Sequence, residues 1–395
     1  MISDFNQTPK GIRIHIGVFG DTNAGKSTFI NAITGHETAL TSPIAGTTTD
    51  PVFKPMELLP LGPVVFIDTA GLDDKSELGN IRIKKTMEQL AVCDAAVLVI
   101  NSHCDNIMRQ QKYIAEISAR KIPLLIVINE INGIKSDLYF DKLKTNTVSA
   151  NIESKSGIDK VKQALIEIIP TSESEPSLTG NLVNEGDFVL LVAPQNVQAP
   201  KGRLILPEVQ VTRDLLDNNC VVITASLDNI TSVMEKVKCK PALVVTDSQI
   251  FKEVNAIIPE DIPLTSFSVL MAKVKGDILG FIRGAEKIDE LCDGDKVLIM
   301  ESCSHHAMKD DIARVKIPAL LRKYTGKNID VQIVSGQQFN LNFSEYKLAI
   351  HCGGCMINRK AMLEKQRILE SKGVPVTNFG IAIAYMNKIF DRVCF

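Results

Sequence analysis

The sequence has no excess of charge of either sign, because 44 lysines and arginines stand against 46 aspartates and glutamates, for a net charge of −2. A chain without a general basic field is not expected to attract nucleic acid or anionic lipid. No uncharged apolar run approaches the ~20 residues that span a bilayer. The first ten residues, MISDFNQTPK, contain no apolar segment typical of a secretory signal. These absences predict a cytoplasmic protein that binds neither nucleic acid nor membrane.

A disulfide framework is also not expected. The chain has nine cysteines, an odd number, in 395 residues without an export signal. Most of them are expected to be reduced and buried as small apolar residues. Only Cys352 and Cys355 have the spacing of a ligand pair by themselves, in the segment HCGGC that His351 opens.

Short apolar runs rich in β-branched residues alternate with helical stretches in the first part of the chain. Runs such as IRIHIGVFG, VVFIDTAG, AAVLVINS and PLLIVIN end in turn or polar residues, which is typical of buried parallel strands. The polar stretch TSESEPSLTGN at 171–181 predicts a linker, after which the alternation resumes. We therefore predict three α/β domains, at 1–172, at 173–265 with the linker included, and at 266–395. No internal repeat is evident.

The segment GDTNAGKS at 20–27 matches the pattern of a phosphate-binding loop, and it follows an apolar strand and opens a helix. Gly20 and Gly25 let backbone N–H groups curl around the β-phosphate at a helix N-terminus. Lys26 places a cation at the β- and γ-phosphate oxygens, and the Ser27 hydroxyl joins the Mg²⁺ shell. The fold class predicted from this context is α/β, with a doubly wound P-loop GTPase sheet followed by two smaller α/β domains.

Two further segments complete a GTPase pattern. In DTAG at 68–71, Asp68 can hold Mg²⁺ through water and the Gly71 N–H can sense a γ-phosphate. In AGTTTD at 45–50, a threonine in a polar loop can reach Mg²⁺. The predicted nucleotide-binding residues are Gly20, Asn23, Ala24, Gly25, Lys26, Ser27, Thr28, Thr47, Thr48, Asp68, Gly71, Asn129, Asn132, Ser149 and Ala150.

These motifs resemble the Era/TrmE branch of the P-loop GTPases. The resemblance implies GTP and Mg²⁺ as ligands, Thr48 as the Mg²⁺ ligand of the switch loop, and K⁺ bound by Asn23 with backbone at 42–47. It also implies slow, K⁺-assisted hydrolysis that depends on Lys26, Thr48 and Gly71. The residue after DTAG is Leu72 and not a catalytic glutamine, which agrees with this mechanism.

The base-reading segment departs from the family pattern N-K-x-D. This chain has NEIN at 129–132, and SAN at 149–151 fits the following base-contact loop. Asn129 is in place, but Asn132 replaces an aspartate that would accept both guanine N–H groups. An amide accepts one of these bonds and presents a donor to the other, a mismatch of roughly 1–3 kcal/mol. We therefore expect weakened guanine selectivity.

A second group of chemically distinctive residues lies near the end of the chain. HCGGC at 351–355 and ESCSHH at 301–306 both follow apolar strands. In α/β sheets the carboxyl ends of parallel strands collect ligand sites, so the two clusters are expected to meet. Their cysteines and histidines fit either a closed Cys₃His zinc site or an iron–sulfur cubane held by three cysteines, and spacing does not choose between them.

The order of the segments, with C-x-H followed at a distance by H-C-x-x-C, resembles HydF, the family of [FeFe]-hydrogenase maturation GTPases, over essentially the whole chain. The resemblance implies a [4Fe–4S] cluster on Cys303, Cys352 and Cys355. The fourth position would be taken by His305, His351, Asp310, Asp311 or water.

The same resemblance implies a homodimer formed through the middle domain. It also implies a scaffold that receives a diiron precursor from radical-SAM maturation enzymes and delivers it to apo-[FeFe]-hydrogenase. Two alternatives remain open at this point. One is an Era/TrmE-like GTPase that acts on RNA or the ribosome and carries a structural zinc site, and the other is a redox-sensing GTPase whose cluster gates hydrolysis.

Overall fold

The structure, a computed structural model, describes residues 11, 13–35, 52–69, 71, 86, 88–103, 107–131, 146–170, 176–194, 204–302, 311–335 and 342–395. The chain divides into two compact units, Met1–Ser174 and Glu175–Phe395. This boundary falls within the predicted linker at 171–181, while the predicted split into three domains stays a prediction. None of the helices in the described ranges combines the length and the apolar character needed to span a membrane.

Unit 1 is built on a six-stranded sheet. Its strands are β1 (Ile14–Phe19), β2 (Val52–Leu58), β3 (Gly62–Asp68), β4 (Ala95–Asn101), β5 (Leu124–Asn129) and β6 (Asn146–Ala150), and its helices are α1 (Lys26–Thr34), α2 (Ile107–Ala119) and α3 (Ile158–Ile168). The strand order is β2-β3-β1-β4-β5-β6. All neighbours pair in parallel except β2 and β3, which are antiparallel.

The central strands of this sheet are buried on both faces, which explains their continuous apolar runs. β4 and β5 are buried along almost their whole length. One core packs α1 and α3 against one face, and a second core packs α2 against the other. The predicted doubly wound α/β sheet is therefore confirmed.

Unit 2 contains two four-stranded sheets. The first comprises β7 (Phe188–Val192), β8 (Val221–Ala225), β9 (Leu243–Thr246) and β10 (Leu264–Ser266), and the second comprises β11 (Lys296–Glu301), β12 (Asp330–Ser335), β13 (Leu348–His351) and β14 (Val376–Asn378). The helices are α4 (Leu206–Asp217), α5 (Ile230–Val237), α6 (Phe251–Ile257), α7 (Phe267–Lys275), α8 (Ile278–Glu286), α9 (Ile317–Thr325), α10 (Arg359–Ser371) and α11 (Phe379–Met386).

The two sheets of unit 2 have the same topology. Their orders are β10-β9-β7-β8 and β12-β11-β13-β14, and every pair is parallel. Numbered by chain order within each sheet, the first reads 4-3-1-2, which is 2-1-3-4 from its other edge, and the second reads 2-1-3-4. In each sheet the first and third strands are neighbours, and this is the point of an open α/β sheet where the crossovers diverge and a crevice forms.

The sequence repeats along with the topology. The fourth strand and the helix after it read PLTSF from Pro263 and PVTNF from Pro375. Ser266 and Asn378, the equivalent residues, each cap the helix that follows by accepting a backbone N–H with the side chain. The expectation that the chain has no internal repeat was therefore wrong for the structure. The repeat is hard to see in the sequence because few positions preserve it.

The two halves of unit 2 also contact each other reciprocally. A Cβ built on Gly353, two residues beyond β13, would lie 3.4 Å from the Ser268 Oγ. A Cβ built on Gly380 would lie 3.1 Å from the oxygen of Ser248, which stands two residues beyond β9. Ser268 and Gly380 are each the second residue of the helix after the fourth strand. Each half thus places this helix against the third-strand loop of the other half.

At the first turn of α4, Glu208 is a buried acid with an incomplete set of partners. Its Oε2 accepts the backbone N–H of Ile205 at 2.9 Å, and the side chain is 2% exposed. Among the described residues no partner faces its Oε1. Burial raises the pKa of Glu208 above the ordinary glutamate value, the bond from Ile205 opposes that rise, and the nearby Asp247 adds to it.

We predict that Glu208→Gln stabilises unit 2 at neutral pH. A carboxyl whose pKa is raised in the folded state binds more protons there than in the unfolded chain, so its stability contribution is largest at low pH and is lost as pH rises through the folded pKa. Glutamine keeps the acceptor for Ile205 and has no charge to bury. Thermal unfolding followed by circular dichroism should show a gain of roughly 2 °C at pH 8 and a smaller one at pH 4.5. The exposed Glu235→Gln serves as the control, and an equal gain at both pH values would contradict the assignment.

Candidate functional site

The loop between β1 and α1 has the backbone of a phosphate cradle. Gly20 and Gly25 adopt φ angles of 147° and 97°, in the region that favours glycine. A Cβ at Gly20 would lie 2.4 Å from the carbonyl oxygen of Val99, and one at Gly25 would lie 2.8 Å from the Asn129 Nδ2. The loop therefore fits against β4 and β5 only because both positions are glycine.

The cationic and magnesium-binding side chains of this loop lie together as predicted. The Lys26 ammonium is buried and donates to the carbonyl oxygens of Gly20 at 3.2 Å and Asp21 at 2.8 Å. The Ser27 hydroxyl donates to the Asp68 carboxylate at 2.6 Å. Burial raises the pKa of Asp68, against the lowering effect of Ser27 and Lys26. A hydroxyl and a carboxylate at this distance are the oxygen donors that Mg²⁺ prefers, so the residues fit that ion.

Two other predicted residues of the loop face outward, and the glycine of DTAG lies against the loop. Asn23 is exposed with a φ of 62°, and Thr28 is exposed on the first turn of α1. A Cβ on Gly71 would lie 2.3 Å from the Thr22 Oγ1, so the two backbones are in close contact. The structure thus brings Gly71 to the phosphate loop, where its N–H would have to lie to sense a terminal phosphate. The predicted switch residues Thr47 and Thr48 lie outside the described residues.

Asn129 connects the phosphate loop to the base side of the site. It ends β5, is 8% exposed, donates from Nδ2 to the Ala24 carbonyl at 3.3 Å and accepts the Ile152 N–H at 3.3 Å. Ser149 and Ala150 end β6 and pair with Ile128 and Asn129. The structure therefore brings Asn129, Ser149 and Ala150 together. Asn132 lies outside the described residues, and the weakened guanine selectivity stays a prediction.

The sequence did not predict a set of hydrogen bonds that joins the phosphate loop to α2. The carboxylate of Asp21 accepts from the Arg109 guanidinium at 2.5 Å and from the Gln110 amide at 2.7 Å, both on α2. Asp21 occupies a variable position of the phosphate-loop pattern, and its partners lie almost ninety residues away. No local signal in the sequence indicated this contact.

The loop that carries Cys352 and Cys355, the cysteine loop, begins where β13 ends. His351 pairs with Met300 of β11, and the Cys352 N–H donates to the Met300 carbonyl at 2.9 Å. The Ser302 backbone N–H in turn lies 3.2 Å from the Cys352 Sγ. Because Ser302 directly precedes Cys303, the structure supports the predicted meeting of the two clusters at neighbouring strand ends. Cys303, His305 and Asp310 themselves lie outside the described residues.

The surroundings of Cys352 favour a thiolate. Burial raises the pKa of this thiol, but the imidazole of His351 and the backbone and hydroxyl of Ser302 outweigh burial and lower it to about 6. The His351 Nδ1 lies 2.7 Å from the Cys352 carbonyl oxygen, so it carries the proton, because a carbonyl can only accept. A deprotonated sulfur that accepts a backbone N–H is the donor that zinc and iron–sulfur clusters use.

The other predicted metal ligands differ in burial and in their hydrogen bonds. Cys355 is partly buried four residues beyond His351. The Asp311 Oδ1 accepts the N–H groups of Ala313 and Arg314, which commits that oxygen to capping a helical turn. Within the described ranges no group of three or more histidine, cysteine or acidic side chains is arranged to hold a metal ion. By residue type, the thiols of Cys352 and Cys355 suit a soft metal centre, and the third sulfur of the predicted set would be that of Cys303.

Three family models match the chain. One described as the hydrogen maturase F dimerization domain matches residues 178–276, and one described as the hydrogen maturase F tetramerization domain matches residues 279–394. A third, described as a 50S ribosome-binding GTPase, matches residues 15–130. The first two models together span more than half of the chain.

Curated relatives resemble part of the chain. The tRNA modification GTPase MnmE of Christiangramia forsetii is 30% identical over 177 residues, which cover 40% of this chain and 37% of the relative. The protein of the same name from Legionella pneumophila strain Corby is 30% identical over 225 residues, 53% of this chain and 49% of the relative. The chain thus spans about half or less of the length of these relatives.

A solved structure also aligns with part of the chain. The crystal structure of Aquifex aeolicus Era bound to GDP and aluminium fluoride aligns with 57% of this chain and 98% of its own, at 17% identity and a TM-score of 0.37. A similarity of this size adds no argument to the strand order and the GTPase model.

Proposed function

Because the chain belongs to the hydrogen maturase F family, we propose that it is a GTP-hydrolysing scaffold whose second unit holds a [4Fe–4S] cluster on Cys303, Cys352 and Cys355. The observation that carries the proposal is the Cys352 thiol, which has a pKa of about 6 and lies 3.2 Å from the N–H of the residue that precedes Cys303. As a carrier, the protein would assemble a diiron precursor supplied by radical-SAM maturation enzymes and deliver it to apo-[FeFe]-hydrogenase.

The cysteine loop supports a cluster with one exchangeable position. A cubane held by three thiolates leaves one iron for a replaceable ligand, which suits a carrier that must load and release cargo. His351 is buried beside Cys352 with Nδ1 on a backbone carbonyl, so its Nε2 is the nitrogen left for a ligand or a hydrogen bond. This Nε2 lies 3.5 Å from the Ser302 hydroxyl, a contact that a metal-bound imidazole would have to give up.

Unit 1 supports a nucleotide-driven timing role. Lys26, Ser27 and Asp68 stand as a GTP- and Mg²⁺-binding site requires, and Gly71 lies at the phosphate loop. A phosphate bound in the loop would separate the Lys26 ammonium from the Gly20 and Asp21 carbonyls, because the same donors serve the β- and γ-oxygens. In this proposal GTP hydrolysis times the exchange of partners and takes no part in the iron chemistry.

A GTPase that acts on RNA with a zinc-bearing second unit is the competing candidate. It draws on the tRNA modification function of the MnmE relatives, of whose length this chain covers less than half. The two hydrogen maturase F models match residues 178–276 and 279–394, where the proposed cluster residues lie, so the scaffold is the better supported function. The identity of the metal taken up separates the two candidates.

Anaerobic reconstitution with iron and sulfide should build a cubane that is visible by EPR after reduction with dithionite. We expect about four iron atoms per chain in the wild type and loss of the signal in Cys303→Ser, Cys352→Ser and Cys355→Ser, because each removes one thiolate ligand. Cys292→Ser, at an exposed cysteine outside the predicted ligand set, is the matched control and should keep the signal. Uptake of one zinc with no cluster would remove the scaffold proposal and leave the RNA-directed candidate.

GTP hydrolysis should be faster in potassium chloride than in sodium chloride at equal ionic strength. Asn23 is exposed on the phosphate loop, where its amide oxygen can hold a cation near the charge that develops on the phosphates. Asn23→Ala should slow hydrolysis on the order of tenfold in K⁺ and leave the slow rate in Na⁺ unchanged, as measured by phosphate release. The exposed Asn229→Ala in unit 2 is the control. A K⁺ advantage that survives in Asn23→Ala would contradict the role of this residue.

We propose that the homodimer forms along β8. This strand lies at the edge of its sheet and exposes Val221 by 56%, and Leu216 of α4 is also exposed. An unprotected apolar edge strand pairs readily with a second copy, and a charge on it blocks pairing. Val221→Lys should therefore shift the protein toward the monomer in size-exclusion chromatography with light scattering. Met108→Lys, at a methionine 81% exposed in unit 1, should leave the dimer intact; a folded Val221→Lys dimer would contradict the proposal.

A further inference from the structure

A buried lysine lies beneath the cysteine loop. Lys275, the last residue of α7, is 5% exposed. Its ammonium donates to three carbonyl oxygens of the loop, those of Gly354 at 3.0 Å, Cys355 at 3.3 Å and Ile357 at 2.8 Å. One cation therefore holds the backbone on both sides of Cys355.

The backbone on either side of Lys275 is held by α10, the helix that follows the cysteine loop. Arg359 of α10 donates to the Val274 carbonyl, the residue before Lys275. The Asp277 N–H donates to the Gln366 side chain at 3.0 Å, and Gln366 donates back to the Asp277 carbonyl at 3.4 Å. The end of α7 cannot shift relative to α10 without breaking these bonds, so the ammonium has a defined position under the loop.

The internal repeat places a different residue at the end of the corresponding helix. Lys275 is the ninth residue counted from Phe267, and the ninth counted from Phe379 in the other half is Asn387. Asn387 lines a cavity of about 300 Å³ with Ser248 and Gln249, and Gln249 is the repeat equivalent of Gly354. At the corresponding place in the other half the cation comes from Lys316 and not from the helix end, and it donates to the side chain of Gln249 at 2.7 Å. Lys275 instead donates to backbone carbonyls of its loop.

We propose that Lys275 is a positioning residue for the metal centre: its ammonium sets the backbone of the cysteine loop and counters the negative charge of the cluster that the loop holds. The loop-setting part stands on the contacts alone, and the electrostatic part rests on the proposed cluster function. A buried positive charge is costly unless it is compensated. The three carbonyl dipoles contribute to this compensation, and the proposed cluster would add to it.

The electrostatic part has a definite sign. Reduction by one electron adds one negative charge to the cluster, so a fixed cation nearby stabilises the reduced form more than the oxidised form. Removing the cation should therefore make the reduction potential of the cluster more negative. Loss of the donor should also loosen the loop, because buried carbonyls without a donor seek other conformations.

The test compares Lys275→Gln, which loses the charge and has two N–H donors for three carbonyls, with Lys275→Arg, which keeps the charge. Lys273→Gln is the matched control, since Lys273 lies on the same helix, carries the same charge and bonds to Asn181 instead of the loop. The potential is measured by dithionite titration of the reconstituted protein, followed by EPR. We expect a negative shift in Lys275→Gln, a potential near that of the wild type in Lys275→Arg, and no shift in Lys273→Gln.

A second measurement uses the protein without metal. Hydrogen–deuterium exchange of the amides at 353–357 should be at least severalfold faster in Lys275→Gln and unchanged in Lys273→Gln. Unchanged exchange in Lys275→Gln would overturn the loop-setting part, and an unchanged potential would overturn the electrostatic part. Failure of the wild type to build a cluster would instead overturn the proposed function, while the exchange result would still decide whether Lys275 sets the loop.

Discussion

Parallel strands all end at one edge of their sheet, and the chemistry of this chain lies at such edges. In unit 1, β1, β3 and β5 deliver the phosphate loop, Asp68 and Asn129 to the same edge. In unit 2, β11 beside β13 brings the backbone of Ser302 to the sulfur of Cys352. Side chains that are far apart in sequence become neighbours because the first and third strands of each half pair directly. The loops need little structure of their own, since the sheet supplies the proximity.

The second unit shows how one framework can carry different chemistry in its two halves. Both halves share the order 2-1-3-4, the same capped helix after the fourth strand, and the reciprocal contact of that helix with the opposite loop. They differ in the groups placed at these equivalent points. One loop carries Cys352 and Cys355 above Lys275, and the other carries Asp247 and Ser248 beside Asn387. The duplicated framework supplies the geometry, and a few substitutions supply the electrostatics.

The sequence was most informative where local signals and chemistry coincide. The phosphate loop, the buried strands of unit 1 and the HCGGC segment have recognisable sequence patterns. The structure brings Lys26 to the Gly20 carbonyl, Ser27 to Asp68, Asn129 to the phosphate loop and Cys352 to Ser302, while their roles stay predictions. The rest depends on contacts across long separations. The repeat was missed because the matching stretch is only five residues long. The contact between Asp21 and Arg109 was missed because no local pattern around Asp21 indicates it. Lys275 was missed because its three carbonyl partners lie about eighty residues away and carry no side-chain signature.

The position of Ser302 beside Cys352 also determines the order of events when the protein matures. The two strands that bring these residues together are almost fifty residues apart in sequence, so the pairing forms late and only with the whole sheet. Cys352 and Cys355 are neighbours in sequence whatever the state of the chain, while the sulfur expected from Cys303 is far from them until β11 lies against β13. In the proposed cluster site, folding of this sheet would therefore have to come before the three sulfurs could bind one cluster.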